Sequence, residues 1–83
     1  MAFMVVQLLL FGITKDIIGN SPFQFELKDD NSAKNLLNQL CKHYPRLKDL
    51  NSIAVAVNGE YATEKTLLHP EDEIALIPPV SGG

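Results

Sequence analysis

Ser32-Ala33-Lys34-Asn35-Leu36-Leu37-Asn38-Gln39-Leu40-Cys41-Lys42-His43-Tyr44 is the stretch that decides the fold. Ala33, Leu36, Leu37, Leu40, Cys41 and Tyr44 recur at steps of three and four, while Lys34, Asn35, Asn38, Gln39 and Lys42 fill the positions between. A helix turns every 3.6 residues, so this spacing gathers the apolar side chains into one stripe. Ser32 suits the N-cap, the acidic pair Asp29-Asp30 favours a helix N-terminus, and Pro45 ends the helix. A stripe of this kind has to be buried, and the flanking sequence offers strands to bury it on.

Upstream, residues 3–11 form an apolar run broken only by Gln7. Its length and Phe/Val content predict a strand covered on both faces and central in a sheet. Residues 12–22 read as a long loop, with Gly19-Asn20-Ser21-Pro22 as its turn cluster. Phe23, Phe25 and Leu27 then alternate with Gln24, Glu26 and Lys28, the pattern of a half-exposed strand that forms a hairpin with the first. Downstream, residues 53–57 predict a buried strand. Asn58-Gly59 is a strong type I′ turn returning through Tyr61-Ala62. Residues 66–70 read as a connection, Glu71-Asp72 as an exposed corner, and Ile74–Ile77 as the last strand. The order β-β-α-β-(β)-β around one main helix gives a two-layer α+β domain. If the last strand pairs with the first, the pairing is parallel and both are central. That arrangement is the β-grasp, or ubiquitin-like, fold. Residues 1–77 make the domain and residues 78–83 an extended tail.

The bulk properties narrow the function. A chain of 83 residues is one domain with a small core. Net charge is −3 and no stretch is basic, which argues against nucleic acid. Lys42, Arg46 and Lys48 read as solvated charges near a helix end. A signal peptide wants positive charge before its apolar run, and a membrane span wants about 20 apolar residues. Neither is found, so a cytoplasmic protein without membrane contact is expected. Cys41 is the only cysteine, which leaves no internal disulfide and no cysteine metal cluster. Its place on the apolar stripe reads as a buried, inert thiol.

An enzyme needs a constellation of reactive groups, and none is legible. The chain has no phosphate loop, nucleophile motif or paired metal-ligand motif. His43 suits a helix end and His69 sits in a turn before Pro70. Glu71, Asp72 and Glu73, like Glu26, Asp29 and Asp30, read as solvated. No bound cofactor and no metal are expected.

What remains is the chain end, Ile77-Pro78-Pro79-Val80-Ser81-Gly82-Gly83. Two glycines without Cβ atoms make a thin terminus able to enter a narrow channel. Pro78 and Pro79 hold φ near −65° and push the preceding residue to extended backbone. The tail should leave the fold stiff and reach about 20 Å. A terminal carboxylate titrates near 3.5 and is ionised at neutral pH, so it is a poor electrophile until activated, for example as an acyl-adenylate. Nothing in this chain supplies that step. The expected role is a substrate or carrier whose reactive group is its own terminus.

The run Ile74-Ala75-Leu76-Ile77-Pro78-Pro79-Val80-Ser81-Gly82-Gly83 resembles the C-terminus of the family of small, sulfur-carrying subunits of molybdopterin synthase. Leu10-Phe11-Gly12-Ile13-Thr14-Lys15-Asp16-Ile17-Ile18-Gly19 is similar to that family's first strand and following loop. Val55-Ala56-Val57-Asn58-Gly59-Glu60-Tyr61 and His69-Pro70-Glu71-Asp72-Glu73-Ile74 match its hairpin and last corner. The resemblance spans essentially the whole chain. It implies that a ubiquitin-activating-type adenylyltransferase forms an AMP adduct at Gly83 and that a sulfur donor converts this to a C-terminal 1-thioglycine (thiocarboxylate). The tail, Pro78, Pro79, Val80, Ser81 and Gly82, then threads into the large catalytic subunit, in a heterotetramer. There it gives sulfur to cyclic pyranopterin monophosphate during molybdenum cofactor biosynthesis. On this resemblance Phe11, Tyr61 and Ile77 form an apolar patch facing the partners. Lys15 stands where the family often has an arginine, keeping the charge but losing the bidentate fork. The alternative for Phe11 and Ile77 is ordinary core.

Two other roles share the fold and the Gly-Gly end. A thiamine-pathway sulfur carrier delivers to a thiazole synthase, but such chains tend to lack the Pro-Pro-Val-Ser approach. A ubiquitin-like protein modifier joins its terminus to lysines. A β-grasp interaction domain whose glycines do no chemistry is a further class.

Overall fold

A computed structural model describes residues 3–50 and 53–79. Five strands form one sheet: β1 (Phe3–Leu10), β2 (Phe23–Lys28), β3 (Ala54–Val57), β4 (Glu60–Tyr61) and β5 (Ile74–Ile77). Their spatial order is β2-β1-β5-β3-β4. β1 runs parallel to β5, and both are interior strands, as the sequence predicts. The other pairings are antiparallel.

The decisive stretch forms helix α2 (Ala33–His43). The hydroxyl of its N-cap, Ser32, accepts a hydrogen bond from the Asn35 N–H at 3.1 Å. The next N–H groups are taken by a neighbouring segment: Ala33 donates to Thr66 O at 2.9 Å and Lys34 to Glu64 O at 3.2 Å. The donors that a helix start leaves open are thereby paired. Ala33, Leu36 and Leu40 are buried with Val6, Leu8 and Leu10 of β1, Phe25 and Leu27 of β2, Val55 of β3, and Ile74 and Leu76 of β5. Leu37, Cys41 and Tyr44 are half-buried at the edge of this core. Pro45 does more than end the helix, because it opens a 3₁₀ turn (Pro45–Asp49) that buries Leu47.

Four expectations change. β1 is central but covered on one face only. Val6, Leu8 and Leu10 are buried, whereas Phe3 and Val5 are 60% and 43% exposed. The apolar run, broken only by Gln7, puts apolar residues on both faces, of which the fold fills one. Secondly, residues 12–22 are not all loop, since a six-residue helix, α1 (Ile13–Ile18), lies within them. It closes on Gly19 at φ 108°, whose N–H donates to Lys15 O at 2.7 Å. Ile17 and Ile18 pack on the core edge. Thirdly, of β3 only Val55 is buried. Finally, residues 66–70 carry Leu68, which is fully buried. Asn31 holds it on both sides: Leu68 N–H donates to Asn31 O, and Asn31 Nδ2 donates to Leu68 O, each at 2.7 Å.

Candidate functional site

Alternation along the strands defines the open face. Phe3, Val5, Gln7 and Leu9 alternate with the buried residues of β1. Ala75 and Ile77 do so on β5, and Ala54 and Ala56 flank Val55 on β3. The register aligns Leu9 with Ala75, Ala75 with Ala56, and Ala56 with Tyr61. Side chains opposite each other in a ladder share a face. One row therefore crosses four strands, with two alanines between a leucine and a tyrosine. The next row pairs Ile77 with Ala54, and Phe11 lies one residue past the last β1–β5 pair, Leu10 with Leu76. The result is a shallow apolar trough, floored by alanine and walled by Leu9 and Phe11 on one side and Tyr61 on the other.

Three of the four residues singled out as partner contacts meet here. Phe11 is 51% and Tyr61 74% exposed, and Ile77 is half-buried on the same face. Phe11 and Tyr61 are thus large apolar side chains left open to solvent on one face, not core. Lys15 is exposed on the first turn of α1, next in the chain to the Phe11 end of the trough.

The hairpin that carries Tyr61 is held in place by a polar clamp. Asn58 and Gly59 have φ 53° and 87°, as a type I′ turn requires. The Asn58 side chain donates to Asp72 Oδ1 at 3.0 Å and accepts from the Glu73 N–H at 2.9 Å. Asp72 Oδ2 accepts the His69 N–H at 2.9 Å. These bonds, the one from Asn58 first, hold the Asp72 carboxyl below the usual carboxylate range. The tip of the β3–β4 hairpin is thus tied to the corner that begins β5. The turn that the sequence read as solvated acids is a structural joint.

The tail begins where the trough ends. Pro78 and Pro79 are half-buried, while Val80, Ser81, Gly82 and Gly83 lie outside the described residues. On the β1 side, Pro78 lies against Gly12: a Cβ placed on Gly12 would sit 3.2 Å from Pro78 Cγ. Sequence reasoning missed Gly12 and the fully buried Thr14 beside it. Their signal was a lone glycine directly after an apolar strand.

Elsewhere the chemistry is sparse. Among the described residues no three His, Cys, Asp or Glu side chains are grouped to hold a metal ion, and no helix is long and apolar enough to cross a membrane. His43 stands edge-on to the Phe25 ring at 5.6 Å, a packing role. A groove of about 330 Å³ between α2 and β3 is lined by Leu37, Ile53 and Val55. Cys41 is half-buried on the apolar stripe.

Comparison with known proteins gives the same picture. A family model described as the ThiS family matches residues 8–83. The molybdopterin synthase sulfur carrier subunit of Dictyostelium discoideum is 36% identical over 81 residues, spanning 93% of this chain and 94% of its own length. A chain of the protein–protein complex of subunits 1 and 2 of molybdopterin-converting factor from Helicobacter pylori is 32% identical, with a TM-score of 0.59 over 96% of this chain and all of its own. The small archaeal modifier protein 1 of Methanosarcina acetivorans is 27% identical, with a TM-score of 0.75 over the full length of both chains.

Proposed function

This chain belongs to the ThiS family, and from that premise we propose that it is the sulfur-carrier subunit of a molybdopterin synthase, charged at Gly83 and docked through the open face of its sheet. The observation that carries the reading is the continuity of that face with the tail. Phe11 and Tyr61 are exposed and Ile77 half-buried in adjoining rows of one face, and the strand that contributes Ile77 runs directly into Pro78 and Pro79. A partner seated on the trough therefore receives the tail.

The chemistry follows from the terminus. An adenylyltransferase of the ubiquitin-activating type joins the Gly83 carboxylate to the AMP part of ATP and releases pyrophosphate. Hydrosulfide, sulfur already at the sulfide level when its donor releases it, then attacks the acyl carbon and loses its proton. A carbon–sulfur bond forms, the carbon–oxygen bond to AMP breaks, and a thiocarboxylate remains. In the large catalytic subunit that sulfur bonds to a side-chain carbon of cyclic pyranopterin monophosphate as a carbon–oxygen bond on that carbon breaks. Water cleaves the acyl–sulfur bond, so sulfur stays on the pterin and the carboxylate returns. A dithiolene needs two sulfurs, so two charged carriers are consumed per product, in keeping with a heterotetramer of two small and two large subunits. The carrier itself contributes docking, reach and a thin end. Enclosing the thiocarboxylate in a partner's channel protects it from water. These steps all belong to the cytoplasm.

Intact-mass measurement on protein from cells active in cofactor synthesis is the test. A fraction heavier by one sulfur less one oxygen is expected, and the same protein with one alanine appended after Gly83 should show none and deliver no sulfur, with unchanged thermal unfolding. Unmodified carboxylate alone, or sulfur delivery by the extended chain, overturns the reading. The likeness to a small archaeal modifier protein favours a second reading, conjugation through Gly83. Isopeptide-linked ladders on other proteins in the same cells would support it.

A further inference from the structure

The turn after β1 does more than connect, and we propose that Gly12, locked by Thr14, is a preformed seat for Pro78 that aims the tail. The inference rests on the sulfur-carrier reading and names the residues that set the tail's direction. Neither Gly12 nor Thr14 touches a reacting atom, so both are positioning residues.

Three observations meet at this point. Gly12 has φ 56° and ψ −132°, a region open to glycine and closed to L side chains. It is the mirror image of ordinary extended backbone, and it lays the bare α-carbon against the Pro78 ring. A Cβ at 3.2 Å from Pro78 Cγ is tighter than ordinary van der Waals contact. A proline ring is fused to its backbone and cannot rotate aside. Anything larger than hydrogen at position 12 therefore pushes on the tail's own main chain.

The seat is also built without help from the tail. Where β1 leaves the sheet, its backbone groups are paired locally. Leu10 N–H donates to Ser21 Oγ at 3.0 Å. The Thr14 hydroxyl accepts from the Phe11 N–H at 3.1 Å and donates to Phe11 O at 2.6 Å. Gly12 O accepts from the Lys15 N–H at 3.1 Å. Thr14 is the one buried polar side chain among the described residues, and its hydroxyl is spent entirely on this turn.

Lastly, the β1–β5 ladder stops at Leu10 with Leu76, so Pro78 has no strand partner on its β1 side. There the neighbour is Gly12. Without that contact the chain after Ile77 can pivot about its last strand residue, and the terminus sweeps through an arc. A misplacement of about 1 Å at a reacting group can cost on the order of a hundredfold in rate.

The test separates aiming from docking. Full-length Gly12→Ala, Gly12→Val, Pro78→Ala and the Gly12→Ala/Pro78→Ala double variant are charged as thiocarboxylates. Each is then mixed with saturating large subunit, and single-turnover sulfur delivery, Kd and thermal unfolding are recorded. A proton Overhauser contact between the Gly12 α-protons and the Pro78 ring is expected in the free wild-type chain. Gly12→Ala should slow delivery several-fold and Gly12→Val about ten- to a hundredfold, with Kd changed less than about threefold. The loss from Gly12→Ala should shrink in the Pro78→Ala background, because the clash is gone; a purely structural glycine gives equal losses in both backgrounds. Wild-type delivery rates in Gly12→Val, equal losses in the cycle, or an absent Overhauser contact overturns the seat while leaving the carrier reading intact. If Gly12→Val does not fold, the alanine cycle and the Overhauser contact decide. If the wild-type chain delivers nothing, the carrier reading fails and the aiming role falls with it.

Discussion

Tyr61 is where the docking argument is most exposed to disproof. It sits on the two-residue edge strand β4, opposite Ala56, with 74% of its surface open. A tyrosine side chain offers about 150–250 Å², so roughly 110–185 Å² remains for a partner to cover. At about 25 cal/mol per Å² this corresponds to ~3–4.5 kcal/mol. Desolvation of the hydroxyl and ordering of the ring on association reduce that, leaving about 2 kcal/mol. Tyr61→Ala should therefore raise Kd for the large subunit about thirtyfold. Tyr61→Asp should raise it further, because a carboxylate must be stripped of water against an apolar floor. The free domain should hardly notice. An exposed edge residue contributes within about 0.5 kcal/mol, or some 2–4 °C in a domain this size. Calorimetric titration of each variant into the large subunit, with thermal unfolding in parallel, gives both numbers. A Kd within threefold of wild type, at unchanged Tm, would remove Tyr61 from the interface and with it one wall of the trough.

Two further expectations concern the scaffold. Leu40→Ala opens a cavity beneath α2, where the leucine is fully buried, and should cost about 2–5 kcal/mol in urea unfolding; a loss under 1 kcal/mol would mean that the helix stripe does not anchor the sheet. Asp72→Asn keeps the shape of the clamp but replaces the acceptor of the His69 N–H, and should cost about 1 kcal/mol at pH 7. Because the folded-state pKa of Asp72 is lowered, the carboxylate's contribution is fully present above its unfolded value near 4 and is lost as pH falls through the folded value. The gap between wild type and variant should then close toward pH 3, and a gap that stays constant with pH would show that charge at this position is irrelevant to the hairpin's attachment.

How much the sequence discloses depends on the range over which each cause acts. The α2 stripe, its Ser32 cap and the Asn58-Gly59 turn are local, so the residue types alone specify them. The parallel β1–β5 pairing is distant in sequence, yet one helix facing one sheet leaves few other arrangements. Helix α1 stayed hidden because six residues, Ile13–Ile18, are under two turns, too short for a period to register. Leu68 has no periodic neighbours; its burial comes from Asn31, far along the chain. The misreading of β1 is the most instructive. An unbroken apolar strand says that both faces avoid water, not what covers them. Among the described residues nothing buries Phe3 and Val5 on the second face, so a run of apolar residues did not by itself mean burial on both sides. Gly12 illustrates the same limit, since its positive φ and its closeness to Pro78, far along the chain, leave no local pattern.

The position of β5 explains why a carrier is built on this fold. A tail that is pulled into another protein's channel transmits force to the strand it leaves. Here that strand is held on both edges: Ile74, Ala75 and Leu76 pair with β1, and Ile74 through Ile77 pair with β3. Ile74 and Leu76 are also fully buried under α2. An edge strand such as β2 or β4 has one ladder and would peel. On the proposed function, charging and discharging move the terminus between partners, so the strap's root has to stay fixed relative to the open face of the sheet. Placing the tail on a central strand meets that requirement with two backbone ladders and a buried inner face. The side chains of the open face are then not needed to hold the tail's root. Substitutions there should change which partner binds and how tightly, whereas substitutions on the inner face of β5 should change how long the carrier survives.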